Sequence, residues 1–382
     1  MSAEIAERAA RHGRLAIDTE FVSERRYQAL LCLAQVAVPD PEAEDGVRTE
    51  VLDPLDGVDP APLAAALADP GVEVVMHAGR QDVAILRRSW RTQVRNVFDT
   101  QVAAGFLGFG NQESYESLVR KVLSVRLPGA EGFTRWDRRP LSQQQLGYAR
   151  DDARMLLALG DALETRLAER GRLEWAREEC RVLEEASDER DPDRVYGRLP
   201  RLSRLGPLPR AVARELVDWR EQTARSMDRP AGFVLPDQAL VEIARRLPDS
   251  QEELEHVRAL PPQTLHRRGD RILQVVDKGR RREPPPAPPE PRYRDPRDAP
   301  LIALAQAVVR HRSQESGVAA ELIATQAELA ALVAARRRGE DSGELRVTSG
   351  WRRELVGQEL IELLAGERIL LVREGRLQVS DA

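Results

Sequence analysis

Leu15-Ala-Ile-Asp-Thr-Glu-Phe21 is the stretch on which the fold turns, because an apolar run here passes directly into two carboxylates, Asp18 and Glu20. Side chains alternate across a strand with period two, so both acids share one face. Working outward, Leu15-Ala-Ile17, Leu30–Val38 and Glu50-Val-Leu52 read as three strands bounded by polar or turn residues. A meander is their simplest connection. A helix at about Pro60–Ala68, a strand at Val72–Met76, a helix from near Arg80, a short strand at Asn96–Phe98 and helices through Arg170 follow. That alternation predicts an α/β layer fold over the first part of the chain, 1–186.

The remainder has a different texture. Residues 187–207 are rich in turn formers, among them Pro192, Gly197, Pro200, Gly206 and Pro207, and are expected to be a linker. Residues 208–282 and 300–382 read as two small all-helical modules, with helical periodicity at Ala211–Arg225, Gln238–Leu247, Ala319–Arg336 and Trp351–Leu364. Between them, 283–299 is proline-rich, and its Glu283–Arg292 stretch suits a polyproline II spacer. On this reading the modules are separable, and a chain ending near Ala186 is expected to fold alone.

Composition excludes several classes of chemistry. The 382 residues carry 58 Lys+Arg against 63 Asp+Glu, and at roughly 100–200 residues per domain two to four domains are expected. No apolar run approaches the roughly 20 residues of a membrane span. Acids in the first residues do not suit a signal peptide, so a cytoplasmic location without membrane contact is expected. With only Cys32 and Cys180, and five histidines at no zinc-binding spacing, a metal site must be built from oxygens. Lysine occurs only at Lys121 and Lys278, neither in a Gly-Lys-Ser/Thr setting, which removes a phosphate-loop ATPase. Residues 194–283 hold 19 Lys+Arg and 13 Asp+Glu, a net of +6 in a chain of net −5. Such a region, beginning with Arg194, Arg198, Arg201 and Arg204, suits a phosphate backbone, and equally a solvated arginine-rich surface.

Three acidic motifs remain. Parallel carboxylates at Asp18 and Glu20 repel unless a cation or proton lies between them, which points to an oxygen-ligated divalent metal. Asp82 falls in the first helical turn after the strand and the Ala78-Gly79 turn, a place where α/β sites collect and also where an acid simply favours the helix dipole. Tyr148 and Asp152 lie four residues apart and share a helix face, with Asp151 close enough that spacing does not choose between the two acids. His77 is given no catalytic role.

The order and setting of these motifs resemble the DEDD exonuclease superfamily, and more closely its ribonuclease D branch. Asp18-Thr-Glu-Phe21, Val97-Phe-Asp-Thr-Gln-Val-Ala-Ala104 and Trp136-Asp-Arg-Arg-Pro-Leu-Ser142 leading into Tyr148 carry that likeness. It implies a ribonuclease H-like exonuclease domain and selects Asp152 over Asp151. Position 147 is Gly rather than His, which makes the third motif the tyrosine type. Residues 208–282 resemble the HRDC nucleic-acid-binding module at Asp228-Arg-Pro-Ala-Gly-Phe-Val-Leu-Pro-Asp-Gln-Ala-Leu240, and 300–382 a more divergent HRDC-like module at Gly350-Trp-Arg-Arg and Gly357-Gln-Glu-Leu.

What the resemblance implies is a 3′–5′ exoribonuclease that releases 5′-monophosphates from RNA, tRNA precursors being the family's substrate class. Asp18, Glu20, Asp82 and Asp152 would hold two Mg²⁺ or Mn²⁺ ions and Tyr148 would orient the attacking water. A phenol with a pKa of about 10 is a poor base at neutral pH. Phe21, on the opposite strand face, is a candidate for contact with the terminal base or for the core, and Arg201 and Arg204 for contact with RNA. No ATP is implied. The alternatives are a DNA exonuclease using the same acids, or a non-catalytic RNA-binding protein.

Overall fold

The computed structural model of the chain describes residues 2–127, 135–286, 295–340, 342–343 and 345–382. Its main sheet runs in the order β3-β2-β1-β4-β5. The strands are β1 (Arg14–Val22), β2 (Leu30–Pro39), β3 (Val47–Leu52), β4 (Glu73–Met76) and β5 (Val97–Asp99). The expected meander is present: β1–β2 and β2–β3 pair antiparallel, whereas β4 and β5 add in parallel beside β1. β1 is longer than the sequence suggested, so the two acids lie within it rather than at its end.

Strand parity divides β1 between two cores. Leu15 and Ile17 pack with Ile5, Leu63, Val74 and Ile85 beneath the N-terminal, 61–68 and 80–90 helices. Ala16, Val75 and Phe98 face the opposite layer, which contains Leu156, Leu159 and Leu163 of the Gln143–Glu169 helix. That helix starts with a capping box between Ser142 and Gln145 and lies across β1, β2 and β3. Its approach is close enough to require Gly160, where a Cβ would sit 2.9 Å from Val75 Cγ1.

Two features differ from the linker reading. Residues 192–205 form a short helix (Pro192–Gly197) and a single turn (Leu202–Arg204) whose Tyr196, Leu199, Leu202 and Leu205 are buried with the helical module that follows. That module, built on the Pro207–Ser226, Asp237–Arg246 and Pro262–Arg280 helices, also grips the loop after β1. Tyr27 donates its hydroxyl to Glu221 at 3.1 Å and its backbone N–H to Asp228 at 3.1 Å, and Arg26 pairs with Asp228 at 2.8 Å.

The second difference is larger. The C-terminal module, with helices Asp298–Ser316, Gln326–Arg338 and Gln358–Ala365, shares one continuous core with the sheet domain. Trp351, 2% exposed, lies edge-on to Phe106 with ring centroids 4.9 Å apart and stacks on Trp175 at 5.5 Å. The Ala319 N–H donates to the Gly105 carbonyl at 2.8 Å, and a Cβ on Gly105 would meet Leu322 Cδ1 at 2.5 Å. A chain ending at Ala186 would therefore expose the apolar face on which this module sits, contrary to the expectation of independent folding. The module is not wholly helical either, as the reading of 300–382 had it: it closes with an antiparallel hairpin, β6 (Arg368–Arg373) and β7 (Arg376–Asp381). Most of the expected polyproline spacer, from 287 onward, lies outside the described residues. Among the described residues no helix is long and apolar enough to cross a membrane.

Candidate active site

Asp18 and Glu20 follow the parity of Ala16 and face the layer of the Gln143–Glu169 helix, from which Asp152 descends. One carboxylate oxygen from each of Asp18, Glu20 and Asp152 lies within 4.8 Å of the others. Asp151, one residue away, is not in that group. Tyr148, one turn earlier on the same helix, lies beside the Asp152 carboxylate, and the phenol and the acid interact. Its ring stacks on Trp136 at 6.3 Å, beside Cys32 and Leu33.

Asp82 reaches the site from the other layer. Thr19 has the opposite strand parity to its two acidic neighbours, and its hydroxyl donates to the buried Asp82 carboxylate. Asp82 stands outside the 4.8 Å group but acts electrically on both β1 acids. Its helix is aimed by Asp99, whose carboxylate accepts from the N–H groups of Ala78 at 3.2 Å and Gly79 at 2.7 Å while capping the next helix.

The cluster is electrostatically strained in the absence of a counter-charge. Burial first, then Asp82, Glu20 and Asp152, raise the Asp18 carboxyl well above the ordinary carboxylate range, with the Gln35 hydrogen bond pulling the other way. Burial, then Asp152 and Asp82, push Glu20 up to about 8. Burial takes Asp82 to about 6 against its hydrogen bond from Thr19. Asp152 also rises to about 6, chiefly by burial, against its bond from Tyr148 and with a further push from Asp151. Burial and the Asp152 charge raise the Tyr148 phenol as well, so its hydroxyl remains a proton donor. A set of hard oxygen donors whose mutual repulsion a cation relieves fits Mg²⁺ or Mn²⁺.

Supporting residues escaped the reading by motif. Gln35, fully buried on β2 directly across from Asp18, donates to it at 2.6 Å. Tyr115 donates its hydroxyl to the Asp152 carbonyl at 2.5 Å, holding the acid's helix. For Gln35 a signal existed, since it is the one polar residue in Leu30–Val38. His77 bonds through Nδ1 with the Thr100 hydroxyl at 2.9 Å and lies outside the acid group. Phe21 is half-buried against the Leu15–Ile17 core. Arg201 and Arg204 are exposed on the turn before the second module.

Residues 1–168 match the family model for 3′–5′ exonuclease domains, and residues 210–276 that of the HRDC domain. Ribonuclease D of Nitrobacter hamburgensis is 34% identical over 379 residues, which covers 98% of this chain and 96% of the relative. The Acidiphilium cryptum ribonuclease D is 33% identical over 390 residues, with 99% and 95% covered. The crystal structure of Escherichia coli RNase D, described as an exoribonuclease involved in structured RNA processing, is similar at a TM-score of 0.82 and 28% identity. The match covers 95% of this chain and 96% of that one.

Proposed function

The chain belongs to the ribonuclease D family and is a 3′–5′ exoribonuclease, and from that premise we propose that Asp18, Glu20, Asp82, Asp152 and Tyr148 form its hydrolytic site on structured RNA, tRNA precursors included. The observation that carries the assignment is the convergence of Asp18, Glu20 and Asp152 oxygens within 4.8 Å, with Tyr148 beside Asp152 on the same helix. The four acids would hold two divalent ions. Bound Mg²⁺ or Mn²⁺ supplies Lewis acidity, which acidifies water and offsets charge at the leaving 3′-oxygen.

The chain's own groups do the rest. Thr19 and Gln35 fix the carboxylates of Asp82 and Asp18, so the donor set is oriented before substrate arrives. Tyr148 keeps its proton at working pH and donates to Asp152, which leaves its oxygen as an acceptor able to position the attacking water for in-line approach to the terminal phosphodiester. Phe21, Arg201 and Arg204 remain proposed contacts to the terminal base and to phosphates. The docking of the second module onto the loop after β1 places a basic domain next to the strand that carries the acids.

The test uses end-labelled RNA and DNA of one sequence, with free or blocked 3′ ends, in Mg²⁺, Mn²⁺ or EDTA. Stepwise shortening of RNA with a free 3′ end, only with metal, is expected. Activity in EDTA would overturn the metal assignment, and equal rates on DNA would overturn the RNA preference.

A further inference from the structure

The C-terminal hairpin carries an arrangement that the fold does not need. Its strands are joined by Glu374 and Gly375, both at positive φ (52° and 73°), a two-residue turn that places Arg373 and Arg376 directly across from each other. Cross-strand partners share a face with Cβ atoms roughly 4.5–5.5 Å apart, and like charges there are destabilising. Both arginines line a groove of about 990 Å³ whose opposite wall is the Asp298–Ser316 helix, which contributes Arg310 and Gln314. Gln378 and Ser380 complete the hairpin wall with further polar groups.

The guanidiniums of Arg310, Arg373 and Arg376 form no ion pair and no hydrogen bond among the described residues. Part of the positive charge elsewhere is, by contrast, taken up. In the second module Arg214, Arg220, Lys278 and Arg282 all engage carboxylates, and in the groove itself Arg312 is held by Glu359 at 2.5 Å and Glu315 at 2.6 Å. Glu315, the one acid among the described residues that line the groove, is paired with Arg312 rather than with Arg310, Arg373 or Arg376. What is left is three guanidiniums without a partner among the described residues, lining one concave surface, a concentration of positive charge that suits phosphate oxygens.

We propose that this groove holds the phosphate backbone of the substrate RNA upstream of its 3′ end, a contact for the folded body of the molecule. The proposal rests on the exoribonuclease reading above and extends it to a second binding surface. An RNA backbone is favoured over an acidic protein because the enzyme's substrate is itself a polyanion with regularly spaced phosphates, and it arrives with every catalytic cycle.

The test is made on the full chain with Arg310→Ala, Arg373→Ala and Arg376→Ala combined, and separately with all three changed to Lys. Binding of a hairpin RNA with a single-stranded 3′ tail is measured in EDTA across a salt series, and cleavage of a six-nucleotide RNA is measured with Mn²⁺. Three lost phosphate contacts should flatten the slope of log K against log salt by roughly 2, and weaken hairpin binding on the order of tenfold to a hundredfold near 0.1 M salt. The Lys variant should regain most of that loss, and the short RNA should be cut at the wild-type rate. An unchanged slope and affinity in the Ala variant would overturn the proposal, as would a loss that Lys does not restore or an equal loss on the short RNA. If instead the wild-type chain fails to cleave RNA at all, the fault lies with the underlying reading, which the slope comparison leaves distinguishable.

Discussion

Replacing Glu179 is expected to loosen the C-terminal module from the nuclease core. Glu179 is 8% exposed on the Leu173–Glu184 helix, and its carboxylate accepts from Arg352 at 2.5 Å, Arg346 at 2.6 Å and the Trp351 indole at 3.3 Å, all from the C-terminal module. Arg352 is itself 2% exposed. Removing one partner of a buried pair leaves an uncompensated charge, which costs about 3–5 kcal/mol. Glu179→Gln retains an oxygen that still accepts one bond, so about 3 kcal/mol is expected for it and the upper end of the range for Glu179→Ala. Burial alone would raise this carboxyl, but the bonds and charges of Arg352 and Arg346 hold it below the ordinary range. A depressed folded value means that the stabilisation is present above the unfolded pKa of about 4.3 and is lost as pH falls through the folded value.

The measurement is urea unfolding followed by tryptophan fluorescence, because Trp175 and Trp351 report on this contact from its two sides. Wild type and Glu179→Gln should differ by a constant amount between pH 6 and 8, and the difference should shrink in acid. A loss below about 1 kcal/mol, the size of an exposed pair, would refute the clamp, and a difference equally large well below the folded pKa would refute its electrostatic basis.

Asp18→Asn or Asp152→Asn should abolish cleavage while leaving RNA affinity within several-fold, since the basic surfaces remain; substantial residual turnover in either purified protein would sink the metal assignment. Tyr148→Phe should lower kcat with little change in KM, as expected for a group that acts chiefly in the transition state, whereas Asp151→Asn should be mild; a raised KM at constant kcat would make Tyr148 a packing residue. In EDTA, raised folded values near 8 for Glu20 and near 6 for Asp82 and Asp152 mean a stability contribution present below their unfolded pKa values and lost as pH rises through the folded ones. The metal-free melting temperature should accordingly fall from about pH 5 to pH 8, and Mn²⁺ should raise it more at pH 8; a flat profile would show that the acids are not strained.

The site's acids were legible because their chemistry is written at short range. Period two puts Asp18 and Glu20 on one face, and a spacing of four does the same for Tyr148 and Asp152. Parity also held an unread message: Thr19, between the two acids, had to face the other layer, where it meets Asp82. Choosing Asp152 over Asp151 needed the family resemblance, since both lie near one helix face. The closing hairpin was missed because Ile369-Leu-Leu-Val372 is a continuous apolar run without strand alternation and Glu374-Gly375 is not one of the strong two-residue turn pairs; the helical pattern before it set the expectation.

The interdomain contacts left no such trace, because a buried Glu–Arg pair reads in sequence like any surface pair. Yet they bear on the site. The Gln143–Glu169 helix presents Tyr148 and Asp152 from its N-terminal half and packs Leu159, Leu163 and Leu167 into the core that Trp351, Val308 and Leu360 complete. The helix that follows it, Leu173–Glu184, carries both Trp175 and Glu179 into the same contact. One acid of the cluster therefore stands on a platform that the C-terminal module helps to hold, while the other two stand on the sheet. Because separations of a few ångströms set the repulsion within the cluster, a loosened module should disturb metal affinity as well as stability. For that reason the C-terminal module is part of the catalytic body as well as a surface for RNA, and the Glu179 variants should show weakened Mn²⁺ binding under conditions in which they remain folded.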